Sequence, residues 1–172
     1  GQRTPALPGA GYPAAAFLTA AMEPVDPSTG AGTLVSPKVI SAADAGRLRF
    51  EDYPIVVLND VPLLPAEIVA RLRDYTQRGN GLWIILGPRT EQSFLNETLN
   101  KSGLFPAVAG KIVDVPQDAA PVGVDIKQPD NPAIALVTAA QRNALAGVAL
   151  RAWWPLKSTS SAVRTILATT TG

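Results

Sequence analysis

The sequence contains no histidine and no cysteine among its 172 residues. Without imidazole and thiol groups, the chain has no histidine general base, no thiolate nucleophile, no disulfide bond and no thiolate metal ligand. The lack of cysteine does not indicate a cellular compartment, because many extracytoplasmic proteins also lack it. Any chemistry of this chain must therefore use carboxylates, amides, hydroxyls, lysines or arginines.

A charge excess of either sign is also missing. Fifteen basic residues stand against fourteen acidic ones, which leaves a formal net charge of +1, and no run is rich in lysine or arginine. Because nucleic-acid binders need a basic patch to neutralise phosphates, we expect neither DNA nor RNA as a partner. No apolar run approaches the roughly 18 to 20 residues that span a bilayer.

The glycine-rich motifs that bind nucleotide cofactors are incomplete. Gly9-x-Gly11 and Gly30-x-Gly32 lack the third glycine and the preceding strand of a dinucleotide fingerprint, and no Walker A sequence occurs. The acidic residues are scattered, and those between residues 114 and 130 do not have the spacing of a calcium-binding loop. We therefore predict no cofactor and no metal ion.

The balance of 47% apolar and 17% charged residues is typical of a globular chain. A length of 172 residues suits one domain. The start without methionine, and the end directly after a predicted strand, indicate a fragment of a longer chain. Within this single domain, 1–172, we expect an α/β core over residues 1–108 and a β-rich extension over residues 109–172.

The clearest pattern is a strand, a helix and a second strand. Residues 53–58 (YPIVVL) form a continuous apolar run, which is typical of a strand covered on both faces in a parallel sheet. Residues 65–78 predict the helix, and residues 82–86 (LWIIL) predict the second buried strand. The helix has one apolar face and ends at glycines 79 and 81. That face contains Ile68, Val69, Leu72 and Tyr75.

Shorter elements are predicted around this unit. We predict helices at residues 13–22, 41–49, 91–101 and 132–140. We predict strands at residues 33–41, 111–115, 122–126, 148–154 and 163–168, the last four antiparallel, with residues 158–161 as a hairpin turn between the last two. In the helix at 91–101, Phe94, Leu95 and Leu99 face inward. The elements together predict a doubly wound α/β core with an antiparallel extension.

One rim of the predicted sheet is the candidate site, because ligands of open α/β sheets bind beyond the carboxyl ends of the strands. The rim contains Asn59, Asp60, Gly87, Pro88, Arg89, Thr90 and Glu91. In the functional interpretation, Asp60 or Glu91 is a base or ligand and Arg89 holds an anion. In the structural interpretation, which we favour, Asn59-Asp60 makes a strand-to-loop turn, Thr90 caps the helix that starts at Glu91, and Arg89 is solvated.

Two further positions bear on function. At Gly87 and Pro88 a strand-to-helix elbow would hold a nucleophile, but no Gly-x-Ser-x-Gly or Gly-x-Cys-x-Gly sequence occurs there. Trp153 and Trp154 are neighbours in a predicted strand and point to opposite faces. We expect one of these tryptophans in the core and the other partly exposed, as a contact for a protein or for another part of the parent chain.

Several segments resemble a known family in their order and spacing. Residues 53–60 (YPIVVLND) and 78–87 (RGNGLWIILG) resemble the strand, helix, glycine turn and strand of class I glutamine amidotransferase-like domains. More narrowly, most of the chain resembles the extracytoplasmic segment of BatA-type, aerotolerance-regulator-like bacterial membrane proteins. The segments that carry this resemblance are 16–18 (AFL), 21–24 (AMEP), 95–99 (LNETL), 103–107 (GLFPA), 131–132 (NP) and 153–156 (WWPL).

The resemblance implies a flavodoxin-like three-layer α/β/α core, the amidotransferase-like fold, followed by the C-terminal antiparallel β extension. It also implies a parent with N-terminal and C-terminal membrane helices and a von Willebrand factor A-like domain, with this domain outside the cytoplasm in the cell envelope (periplasm). True amidotransferases use a cysteine at the elbow and a downstream histidine, and this chain has neither. Amidotransferase activity is therefore not carried over.

From these observations we expect a non-catalytic binding or interaction module of a membrane-anchored bacterial envelope protein. Its partner would be another protein or another domain of the parent, bound through the strand-end rim or the Trp153-Trp154 face. The alternative is a small-ligand-binding or hydrolytic domain that uses Asn59, Asp60, Arg89 and Glu91. A structural spacer between membrane anchors is a third interpretation.

Overall fold

A computed structural model of the chain describes residues 15–22, 35–135 and 139–170. The described residues include both helices and strands, so the chain is a mixed α/β protein. The chain divides into two compact units, Gly1–Thr90 and Glu91–Gly172. The sequence predicts the boundary between core and extension after residue 108, and the division between the two units comes earlier, after Thr90.

The first unit is built on the predicted strand, helix and strand. The regular elements in its described ranges are α1 (Ala15–Met22), two 3₁₀ turns (Ala42–Arg47 and Phe50–Asp52), β1 (Ile55–Asn59), α2 (Ala66–Gln77) and β2 (Gly81–Ile85). Strands β1 and β2 are parallel, with Val57 opposite Trp83. The parallel strand pair connected by a helix is therefore confirmed.

Helix α2 forms as its apolar spacing predicts. Its buried residues are Ile68, Val69, Leu72 and Tyr75, which are the four predicted from the sequence. Pro65 precedes the helix, and Gly79 follows it with a φ of 91°, a left-handed conformation that glycine adopts without strain. Leu72 is fully buried, and burial of such a side chain contributes about 1.5 to 3 kcal/mol.

An aromatic cluster fixes α2 to the turns before β1. The rings of Tyr75 and Phe50 meet edge to face with centroids 6.1 Å apart, and the Arg71 guanidinium lies 4.8 Å from the centre of the Phe50 ring. The Tyr75 hydroxyl donates to the carbonyl of Tyr53 at 2.8 Å, and Arg71 donates to the carbonyl of Gly46 at 3.1 Å. Burial raises the pKa of Tyr75 above 10.0.

The β1–β2 sheet is covered unequally on its two faces. Leu58 points to one face and is buried. Register partners in a parallel pair point to the same side, so Asn59 lies on the other face with Ile85. The apolar side chains of that face are Ile55, Val57, Trp83 and Ile85. Ile55 is 59% exposed and Trp83 is 49% exposed. We call these four residues the open face. The predicted burial of both strand faces is wrong for this side.

The segment before β1 differs from its prediction. Residues 35–41 form no strand, and residues 33 and 34 lie outside the described residues. Pro37 lacks the amide that a sheet ladder requires, which explains why the apolar alternation does not produce pairing. The helix predicted at 41–49 is a 3₁₀ turn over Ala42–Arg47. The helix predicted at 13–22 is present as α1, and its first two positions lie outside the described residues.

The second unit begins with the helix predicted at residues 91–101. Over Phe94–Leu99 its hydrogen bonds follow the wider π-helical pattern, as in the bond from Asn100 N to Leu95 O. Phe94, Leu95 and Leu99 are buried, as the sequence predicts. The inward face of this helix is therefore confirmed, although its winding is not α-helical.

Side-chain amides of this helix bind one edge of a short strand, β3 (Ala107–Ala109). Asn96 accepts from the amide of Ala109 at 2.8 Å and donates to its carbonyl at 2.9 Å, and Gln92 donates to the same carbonyl at 2.8 Å. Asn100 donates to the carbonyl of Ala107 at 3.0 Å. Ala109 is 1% exposed, so its backbone groups do not reach water. The side-chain amides supply the hydrogen bonds that a neighbouring strand or water would otherwise make to this edge of β3.

Among its described residues, the rest of the second unit contains three antiparallel strand pairs and two short helices. β3 pairs with β7 (Leu156–Ser158), β4 (Val113–Asp114) with β6 (Ala152–Trp153), and β5 (Val124–Ile126) with β8 (Leu167–Thr169). The helices are α3 (Pro132–Ala135) and α4 (Ala139–Ala146). The antiparallel character is confirmed. β3 and β7 are not predicted from the sequence.

Two predictions for this unit are wrong. Residues 158–161 do not connect a hairpin, because β7 pairs with β3 and β8 pairs with β5. The Ser158 hydroxyl instead bonds within the turn, to the carbonyl and the amide of Ser160. Trp153 and Trp154 are both half-buried, so neither of them is a core residue. Only Trp153 belongs to a strand, β6, and Trp154 lies just beyond the end of that strand.

Candidate functional site

Asp60 is the centre of the predicted rim in the first unit. It follows β1 directly, has a φ of 50°, and donates its backbone amide to the carbonyl of Ile85 at 2.9 Å. Aspartate and asparagine tolerate this left-handed conformation better than most residues. The conformation directs the chain away from the sheet and the carboxylate toward the loop after β2, and Asp60 is only 6% exposed.

Both oxygens of the Asp60 carboxylate are hydrogen-bonded within the protein. Oδ1 accepts from the amide of Arg89 at 2.9 Å, from the amide of Thr90 at 3.0 Å and from the hydroxyl of Thr90 at 3.2 Å. Oδ2 accepts from Nε of Arg89 at 3.1 Å. The carboxylate therefore connects the end of β1 to the loop after β2. We call Asp60, Gly87, Arg89 and Thr90 the carboxylate brace.

Gly87 completes the carboxylate brace. Its amide donates to the hydroxyl of Thr90 at 3.1 Å, so this hydroxyl both accepts a hydrogen bond and donates one to Asp60. A Cβ atom at position 87 would lie 2.4 Å from Cγ of Asp60, a distance that no real contact has. Glycine is therefore required for the close approach of the loop to the carboxylate.

This geometry corrects the structural interpretation of two residues. The Thr90 hydroxyl does not cap the following helix, because it is bonded to Asp60 and Gly87. Arg89 is 64% exposed at its side chain, but it is not simply solvated, because its Nε pairs with Asp60. An ion pair with one exposed partner contributes about 0 to 1 kcal/mol. The backbone donors of the brace contribute more, because they bond to a buried charge.

The predicted site residues are therefore only partly brought together. Asp60, Arg89 and Thr90 form one cluster, whereas Asn59 is a half-buried residue of β1 in register with Ile85. Glu91 is exposed and belongs to the second unit. The sequence identifies Asp60, Arg89 and Thr90 as neighbours through the ends of parallel strands. It does not indicate that Gly87 is there to admit the carboxylate.

The brace limits the chemistry of Asp60. A general base needs a lone pair directed at a substrate proton, and a cation ligand needs free oxygens. Oδ1 already accepts three hydrogen bonds, and Oδ2 accepts one. Gly87, Pro88 and Arg89 occupy the elbow position after β2, so no nucleophilic side chain lies there. The described arrangement suits a structural carboxylate.

No group of three or more acidic residues in the described ranges has an arrangement that could hold a metal ion. No helix in the described ranges is long and apolar enough to cross a membrane.

The open face is a second candidate site in the first unit. It presents Ile55 and Trp83 on adjacent strands, each about half exposed, without a charged side chain in either strand. Parallel sheets are normally covered on both faces. Exposed apolar side chains that adjoin one another are typical of contact surfaces, whereas isolated ones are common on any protein.

Comparison of the chain with protein-family models, curated proteins and solved structures gave no match. The resemblance to amidotransferase-like domains of BatA-type membrane proteins therefore stays a prediction.

Proposed function

We propose that this chain is a non-catalytic interaction module of a membrane-anchored bacterial envelope protein, and that it binds a protein partner through the open face. The observation that carries the proposal is the exposure of Trp83 and Ile55 on a parallel sheet. Tryptophan is enriched among the residues that dominate protein interfaces, where a large rigid ring enters a pocket of the partner. The partner is another protein or another domain of the parent, such as a von Willebrand factor A-like domain.

The carboxylate brace also supports this proposal. In an enzyme of open α/β architecture, the strand-end rim holds the reactive groups. Here the same rim uses its buried carboxylate to fix the loop of residues 87–90. The loop is thereby held in one position beside the end of the sheet. A rigid sheet suits a contact surface, because little ordering entropy is lost on binding.

For the fold, we propose the flavodoxin-like three-layer arrangement of class I glutamine amidotransferase-like domains, with a C-terminal antiparallel β extension. The parallel β1–β2 pair with α2 supports this arrangement, because the connection of parallel strands by a helix is its repeating unit. Location in the envelope, outside the cytoplasm, is part of the same proposal and rests on the resemblance of the sequence to BatA-type proteins.

Affinity isolation tests the interaction proposal. The tagged chain, its Trp83→Ser variant and a Leu63→Ser control are incubated with detergent-solubilised bacterial envelopes, and bound proteins are quantified by mass spectrometry. Leu63 is the matched control, since it is an apolar residue of the same unit, 53% exposed, outside the sheet. We expect one protein that the wild type and Leu63→Ser retain and that Trp83→Ser loses. Equal recovery by all three chains would contradict the open face as the contact.

A ligand-binding domain is the second candidate, and one observation favours it. The terminal Nη atoms of Arg89 have no partner in the described part of the chain, and the side chain is 64% exposed. The two Nη groups form a fork that suits a carboxylate or phosphate. This hypothesis predicts that phosphate or citrate raises the melting temperature of the wild type and leaves Arg89→Ala unchanged. An identical response of both proteins eliminates the site.

A further inference from the structure

The outer edge of β2 has backbone groups without partners in the described residues. The amide of Gly81 donates to the carbonyl of Pro54 at 3.0 Å, and the carbonyl of Ile85 accepts from the amide of Asp60 at 2.9 Å. Residues 81, 83 and 85 thus bond to β1. The residues between them, Leu82 and Ile84, direct their N–H and C=O groups away from β1, and no hydrogen bond to these groups occurs within the described ranges.

This edge also lacks the features that normally prevent pairing with another strand. Natural edge strands carry lysine, proline or a bulge, or a helix covers them. β2 reads GLWII, without a charged residue or a proline, and its five residues pair with β1 in continuous register. By contrast, the outward edge of β3 in the second unit is bonded by amides of Asn96 and Gln92. The edge of β2 has no such cover among the described residues.

We propose that β2 pairs with β2 of a second copy of the chain, antiparallel about a twofold axis at Trp83. In this register Leu82 lies opposite Ile84 of the other copy, and the reverse pair forms by symmetry. Both are hydrogen-bonded pairs, so the two N–H and two C=O groups of each edge are all satisfied. The pair at the axis is Trp83 with its own copy, a non-hydrogen-bonded pair with Cα atoms about 4.5 Å apart.

A second copy fits this edge for two reasons. A twofold contact must be self-complementary, and an edge with equal numbers of outward donors and acceptors meets that requirement. Charge does not oppose the contact, because β2 is uncharged and the whole chain has a formal net charge of only +1. The two Trp83 rings, each 49% exposed, would lie side by side on one continuous face of four strands.

The size of the contact sets its strength. A strand of five residues is about 17 Å long, so edge pairing together with one tryptophan per copy covers well under the roughly 800 Å² per partner of a standard stable interface. The dimer is therefore reversible and forms in a concentration-dependent way. A covalent trap is the appropriate test, because it accumulates a short-lived complex.

The absence of cysteine makes such a trap specific. Trp83→Cys places a single thiol at the twofold axis, and Cα atoms about 4.5 Å apart lie within the span of a disulfide bond. The full chain carrying Trp83→Cys is incubated in a glutathione redox buffer and analysed by non-reducing electrophoresis. We expect a disulfide-linked dimer. The control is Ile55→Cys, because Ile55 is exposed on the same face. In the proposed dimer the two copies of residue 55 lie three strand spacings apart, at least about 14 Å, which is too far for a disulfide bond. Similar slow cross-linking of both variants overturns the proposal.

A second measurement tests the wild-type chain without a trap. Sedimentation velocity should show a monomer–dimer equilibrium that Trp83→Arg abolishes, since two cations would meet at the axis. Circular dichroism verifies that the variant is folded. A wild type that stays monomeric at all accessible concentrations contradicts the dimer. The inference rests on the backbone edge and not on the proposed partner. If Trp83→Ser no longer retains the envelope protein and Trp83→Cys does not cross-link, the dimer is rejected and the proposed partner contact is kept.

Discussion

Substitution of Asp60 by alanine measures what the carboxylate brace contributes to stability. The change removes the acceptor of two backbone amides, Arg89 N and Thr90 N, and of the Thr90 hydroxyl. A hydrogen bond to a charged group contributes about 1.5 to 3 kcal/mol, and a buried donor left unpaired costs about 1 to 3 kcal/mol. Thr90 is 7% exposed, so water does not readily replace the carboxylate. We expect a loss of about 3 to 5 kcal/mol in the free energy of unfolding.

Two further variants divide this loss into its parts. Asp60→Asn keeps an oxygen for the backbone amides and retains the left-handed conformation, but its NH₂ group faces Nε of Arg89. We expect a loss of about 1 to 2 kcal/mol. Arg89→Ala keeps its own backbone bond to Asp60 and loses only a half-solvated ion pair, so we expect a loss below about 1 kcal/mol.

Urea unfolding of the three variants, followed by circular dichroism, gives the free energies. Hydrogen exchange of the β1 and β2 amides assigns the loss to the first unit. The order Asp60→Ala, Asp60→Asn, Arg89→Ala, from the largest loss to the smallest, is expected. If Asp60→Ala unfolds at the same urea concentration as Arg89→Ala, the carboxylate does not hold the loop, and the structural interpretation of Asp60 is refuted.

Substitutions at three other residues, one of them with a matched control, have equally defined outcomes. Because the pKa of Tyr75 is raised in the folded chain, the unfolded chain loses the hydroxyl proton first as the pH rises above 10.0. The free energy of unfolding therefore falls above that pH, by up to about 1.4 kcal/mol per pH unit. Urea unfolding of Tyr75→Phe should lack this pH-dependent loss, and an unchanged slope of the free energy against pH would contradict the assignment. Asn96→Leu orphans the buried amide of Ala109 and should cost about 1 to 3 kcal/mol, whereas Asn96→Asp, which keeps an acceptor, should recover part of that loss. Gly87→Ala should lower the melting temperature because its Cβ overlaps Asp60. Gly46→Ala should not, because the nearest atom to its Cβ is Cδ1 of Ile68 at 4.0 Å; equal effects of the two substitutions would refute the close approach.

The sequence predicts those parts of the first unit that depend on local signals. The four apolar positions of α2 recur every three or four residues, and Gly79 marks the end of the helix, so helix and buried face follow from the chain alone. The two apolar runs beside it predict strands for the same reason. The sequence does not predict that one face of these strands is exposed, because an apolar run indicates only that a face is suited to burial. What covers Ile55 and Trp83 depends on other segments.

The short strands of the second unit depend on distant partners. β3 consists of two alanines and a valine and pairs with β7 about fifty residues later, so neither a strong strand propensity nor a nearby turn identifies it. Similarly, the sequence predicts that Asp60, Arg89 and Thr90 approach one another but not what they do. Their roles are set by backbone amides 29 and 30 residues from Asp60, which composition and spacing do not contain.

The most direct test of the proposed function is the solvent accessibility of Trp83 in the parent protein. Hydroxyl-radical footprinting with mass spectrometry would compare Trp83 in intact bacterial envelopes with Trp83 in the dilute isolated chain, with the exposed Leu63 as the internal reference. If a partner covers the open face, Trp83 is oxidised more slowly in the envelope while Leu63 reacts equally in both samples. Equal oxidation of Trp83 in the two samples would contradict an interaction through the open face.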